Sequence, residues 1–156
     1  MATLPLTKIV LENLRDQHDW TLLDFHPAPP KDSAAPPRQL ISGLPPRRIY
    51  MHPDEQVQTL RIEQGGGSSP AQPPEFEWVL PVFLVDKWSL GSLAAVFDSI
   101  AALPRIDSPG EHLHAHSCSE WRSAKRHKRL LLAIVHSDSA ITYYLVHDGI
   151  VKPRQN

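Results

Sequence analysis

The chain holds a single cysteine, Cys118, among 156 residues, so no disulfide can close within it. That excludes the disulfide-stapled secreted scaffolds and fits a reducing compartment. Long hydrophobic runs are lacking too. The longest, Val79 to Val85 and Leu130 to Val135, fall far short of the ~20 apolar residues that span a bilayer. The N-terminus MATLPLTKIVLENLRDQ meets charges too early for a signal peptide. A soluble intracellular protein without membrane insertion is the expectation. Neither sign of charge prevails: 16 Lys and Arg stand against 17 Asp and Glu, a formal net charge of -1. A freestanding nucleic-acid binder carries a clear basic excess, so any RNA contact has to come from a local patch.

What the chain does have is apolar content, 41% of residues, enough for one compact domain over 1–156. At this size folding buries roughly 70% of the unfolded surface, so no metal or disulfide is needed as a staple. Of the 16 prolines, 12 gather in Pro27 to Pro53 and Pro70 to Pro81, where they discourage helix. The stretch GGGSSPAQPP (65–74) reads as a flexible loop with a stiffer Pro-rich end.

Periodicity predicts a helix over Thr3 to Gln17, with Leu6, Ile9, Val10 and Leu14 on one face. Trp20 to Phe25 reads as a short strand. Arg47 to His52 and Gln56 to Glu63 read as a hairpin turning at His52-Pro53-Asp54. Glu75 to Val85 is expected to be extended, with Pro81 confining it to an edge or a break. Trp88 to Leu103 has the helical period, Ser89 to cap it and Pro104 to end it. Leu130 to Val135 suits a strand buried on both faces. Ser137-Asp138-Ser139 supplies a turn, and Ile141 to Val146 returns as a β-branched and aromatic strand. The fold class is α/β or α+β, a mixed central sheet flanked by at least two helices.

The unit LLLAIV–HSDS–AITYYLVHDGIVKP (130–153) resembles the C-terminal end of a known family. So do LISGLPPRRIYMHPDE (40–55) and EWVLPVFLVDKWSLGSLAAVFDSI (77–100), in the same order. The family is the small structural subunit, of the fifteen-kilodalton type, of the eukaryotic tRNA-splicing endonuclease in its fungal form. The resemblance implies the fold of that enzyme's C-terminal domain and a complex of two catalytic and two structural subunits. It implies a non-catalytic role in removing introns from precursor tRNA, no cofactor, and a nuclear location, with the cytoplasm or the mitochondrial outer surface as the alternative. It also implies pairing with a catalytic subunit through the terminal strand. On that expectation Ile141, Tyr143, Tyr144 and Val146 are candidate interface residues, with Tyr143 and Tyr144 on opposite strand faces. A homodimer of the isolated chain is the other association considered.

Catalytic subunits of this family use a tyrosine base, a histidine acid and a lysine converging on one phosphate. By its place before LLLAIV, Lys128 falls about where the lysine would sit, but the histidine motif is not found. The alternative is a metal-independent ribonuclease that combines Lys128 with a histidine from 112–116. The basic run WRSAKRHKR supplies Arg122, Lys125, Arg126, Lys128 and Arg129 as candidate contacts to RNA phosphates or an acidic partner. A solvated lead-in to the strand is the competing reading. In HLHAH (112–116) the alternate histidines would share one face of a strand, but the stretch reads as a loop without a second ligand cluster. No metal site is expected.

Overall fold

In a computed structural model of the chain, the residues described are 5–27, 38–67, 74–104 and 128–149. Among these residues, three helices and five strands follow in the order α1 (Pro5–Gln17), β1 (Thr21–His26), β2 (Leu40–Leu44), α2 (Pro53–Gln64), β3 (Glu77–Phe83), α3 (Leu90–Ser99), β4 (Arg129–Val135) and β5 (Ile141–His147). The strands form one mixed sheet in the order β1-β2-β3-β4-β5. Only β3 and β4 run parallel, the arrangement a crossover connection through α3 produces. The α+β class expected from the sequence is what the chain adopts.

Each face of the sheet carries its own core. α1 places Val10 and Leu14 against Ile41, Val79, Leu131, Ala133 and Val135. On the other face Val96, Phe97 and Ile100, from α3 and the residue after it, pack on Leu80, Val82 and Leu130. This two-sided burial is why the apolar runs of β3 and β4 are continuous rather than alternating. Ser89 caps α3 as expected, its hydroxyl accepting the Ser92 N–H at 3.1 Å. The helix stops at Ser99, sooner than Leu103, because Ile100 turns extended and is drawn into the core.

Two expectations are overturned. The hairpin over 47–63 does not form; Pro53–Gln64 is helix α2. His52-Pro53-Asp54 is a helix start rather than a turn. His52 Nδ1 accepts the Asp54 N–H at 3.1 Å, and Pro53 needs no amide partner in the first helical turn. Asp54 and Glu55 then suit the positive end of the helix dipole. The second correction concerns Pro81, which lies in β3 at the centre of the sheet, not at an edge. Pairing of β2 with β3 runs from Gly43↔Glu77 to Ile41↔Val79. The residue that would face Pro81 precedes β2, so the missing donor interrupts no β2 bond. β2 itself, LISGL, is a strand the periodicity did not isolate.

Candidate partner-docking edge

β5 is the last strand of the sheet, and no described residue pairs with its outer side. Its register with β4 is unbroken over seven pairs, from Val135↔Ile141 to Arg129↔His147. In an antiparallel ladder alternate residues bond inward and the ones between point their N–H and C=O outward. Two bonds fix the phase. The Asp148 N–H donates to the Lys128 carbonyl and the His136 N–H to the Ala140 carbonyl, both at 2.8 Å. Thr142, Tyr144 and Val146 therefore bond to β4, while Ile141, Tyr143 and Leu145 offer their backbone groups to the open side.

The side chains divide the other way. Tyr143 points to the α1 face, where its hydroxyl donates to Asn13 Oδ1 at 2.6 Å and its ring meets His18 edge-on. Burial pushes its phenol up to about 12. Tyr144 points to the α3 face and is 55% exposed. The α3 cover runs out toward this edge, leaving Leu132, Ile134 and Val146 only partly buried. Of the two tyrosines, Tyr143 belongs to the chain's own core and Tyr144 is the one held toward solvent.

At the His147 end the strand is anchored by a buried ion network. The parallel register sets Glu77 beside Arg129, whose Nε donates to both Glu77 oxygens at 3.1 Å. Arg129 Nη2 also bonds Glu75 at 2.9 Å. Arg48 joins Glu75 at 2.8 Å to Glu55 of α2, which it grips with both terminal nitrogens. Burial works against the Arg129 charge, but the two carboxylates outweigh it and raise the guanidinium above its ordinary pKa. The Tyr50 ring lies 5.2 Å from the Arg129 guanidinium carbon and 4.7 Å from the His147 ring, covering the end of β5.

The basic run is thus placed unevenly. Arg129 is 5% exposed and engaged by two carboxylates, so its guanidinium is not held out to a phosphate or an acidic loop. Lys128 Nζ donates to the Phe97 carbonyl at 3.0 Å, near the end of α3. A cation suits that place, where helix carbonyls run short of partners. Arg122, Lys125, Arg126 and the histidines of 112–116 lie outside the described residues. Among those described, no three His, Cys, Asp or Glu side chains group as metal ligands, and no helix is long and apolar enough to cross a membrane.

Sequence reasoning passed over Arg48, Tyr50, Glu75 and Glu77. The signal was faint but present: Glu75 and Glu77 head one apolar run and Arg129 heads the other, and parallel pairing of those runs brings the charges together.

Comparison with known proteins gives the chain its relatives. A family model described as "Sen15 protein" matches residues 9–156. A probable tRNA-splicing endonuclease subunit, tsp-1, of Neurospora crassa is 50% identical over 154 residues, 97% of this chain and 66% of its own length. The probable tRNA-splicing endonuclease subunit sen15 of Schizosaccharomyces pombe is 38% identical over 85 residues, 53% of this chain and 51% of its own. The chain thus spans about half to two thirds of these relatives. With nearly its whole length matched by the family model and half its residues shared with the Neurospora protein, the chain belongs to the Sen15 family.

Proposed function

We infer that this chain is a non-catalytic structural subunit of a tRNA-splicing endonuclease, acting in the nucleus on precursor tRNA through the complex. It docks on a catalytic subunit through β5. The observation that carries the reading is the pairing of an open, regular β5 edge with a Lys128 spent on its own fold. Backbone groups of Ile141, Tyr143 and Leu145 form a template for an added strand. Tyr144 and Val146 stand on the adjoining α3 face, where a partner's side chains would meet them. Lys128, the residue that would steady a charged phosphorane, instead donates to the Phe97 carbonyl.

The test is co-expression of the full chain with each other subunit of its endonuclease. Tyr144→Lys should weaken binding to one of them about tenfold or more while the isolated chain still folds; a hot-spot aromatic at an interface is worth about 2 kcal/mol or more. Unchanged association would remove the docking edge. Cleavage of precursor tRNA by the purified chain alone, abolished by Lys128→Ala, would overturn the non-catalytic reading.

A further inference from the structure

Seven residues at about 3.3 Å each give β5 an edge about 23 Å long, and one sheet-packing distance makes it about 10 Å high. That strip is roughly 230 Å², against the roughly 800 Å² that each partner of a stable interface contributes. A subunit seated on β5 has to cover adjoining surface as well. At the Ile141 end of the edge stands the turn between β3 and α3. There Leu84 is 56%, Val85 85% and Leu90 89% exposed, the last two being the most exposed large hydrophobic residues described.

These side chains are not carried on a loose loop. The Leu84 N–H donates to the Val135 carbonyl at 3.0 Å, which ties the turn to the end of β4. The Asp86 N–H donates to the Phe83 carbonyl, and Asp86 Oδ2 accepts the Phe83 N–H, both at 3.0 Å. Leu90 is fixed by the Ser89 cap at the first residue of α3. A single exposed leucine needs no explanation, but several aliphatic side chains on one pinned turn form a patch. Its position is also specific. Val135 pairs with Ile141, so the tie at Leu84 lies about two strand spacings, roughly 10 Å, from the open edge.

We propose that Leu84, Val85 and Leu90 form a preset apolar knob that enters an apolar socket on the same subunit that adds its strand to β5. The proposal rests on the docking reading above. The occupant follows from area and place: β5 alone is too narrow, and this patch adjoins it. An apolar socket suits the three aliphatic side chains; the Asp86 carboxylate is turned back on its own backbone, and Lys87, exposed on the same turn, needs water or a carboxylate beside that socket.

The experiment measures binding of the full-length chain to the subunit whose association Tyr144→Lys weakens. The double variant Val85→Lys with Leu90→Lys should weaken the same complex tenfold or more, and Val85→Ala with Leu90→Ala by a smaller factor. Circular dichroism and melting of the free chain should not change, because both side chains stand in solvent. Full affinity in the double lysine variant, with Tyr144→Lys still disruptive, overturns the knob and leaves the docking edge intact. Full affinity in both variants sinks both ideas. Loss of binding to a different subunit, or loss only of flotation with phosphatidylcholine–phosphatidylserine vesicles, also overturns the proposal, since it assigns the knob to the β5 partner.

Discussion

The two edges of the sheet are finished in opposite ways. On β1 the register with β2 slips between Thr21 and Asp24, and Leu22 takes φ 51°. That left-handed conformation costs a residue with a Cβ about 1–2 kcal/mol. The Asp24 side chain then accepts the Phe25 N–H at 2.9 Å, so a strand arriving there would compete with an existing bond. A bulge and an exposed charge are the devices by which natural sheets discourage edge pairing. β5 has neither. Its seven pairs are in register, its sequence ITYYLVH has no Pro, Gly, Lys, Asp or Glu, and Gly149, at φ 97°, falls after the strand has ended. Among the described residues, one sheet thus guards one side and leaves the other open, and that difference is what the docking proposal for β5 builds on.

The contrast can be broken most forcefully at its anchor. Glu77→Ala leaves Arg129 in the interior with one of its carboxylates gone, and losing one partner of a buried pair costs about 3–5 kcal/mol. Urea unfolding should show it, and a loss below about 1 kcal/mol would mean that the network is not what holds the β5 end of the sheet. Alkaline titration tests the inner side of β5. A phenol raised to about 12 in the folded chain and near 10 when unfolded gives stability present below about pH 10 and lost as pH rises toward 12. The loss should be about 1–2 kcal/mol, solvent at the half-exposed ring screening part of the penalty.

Tyr143→Phe removes the bond to Asn13 and should cost about 1 kcal/mol of stability. It should also abolish that alkaline step and leave partner affinity unchanged; a tenfold loss of affinity would place Tyr143 at the interface after all. Smallest of all is the control on the guarded edge. Phe25→Lys, at a residue 42% exposed on β1, should change subunit binding by less than about twofold, consistent with a surface change away from an interface. An effect as large as that of Tyr144→Lys would erase the distinction between the edges.

The parts of the fold that were legible were those whose local and global preferences agree. α1, α3, β4 and β5 each carry a period or an apolar run that matches what they finally pack against. The hairpin error over 47–63 has the opposite origin. α2 has no buried residue, so no apolar stripe marks it, and Ile49, Val57 and Ile62 suggested strand where caps and first-turn acids decide for helix. The basic run was legible as charge but not as geometry. Nothing in WRSAKRHKR says that Arg129 would be folded inward onto Glu77 or that Lys128 would turn toward α3.

Fold class, family resemblance and the β4–β5 hairpin could be read along the chain, because they depend on residues near one another in it. It took the packed sheet to show that β5 is the last of the described strands, that Tyr143 faces inward and Tyr144 outward, and that Pro81 is central. The pairing of Arg129 with Glu77 was decided there too. Each of these follows from strand order and register, which bring together residues tens of positions apart, and register turns a one-residue difference into a change of face.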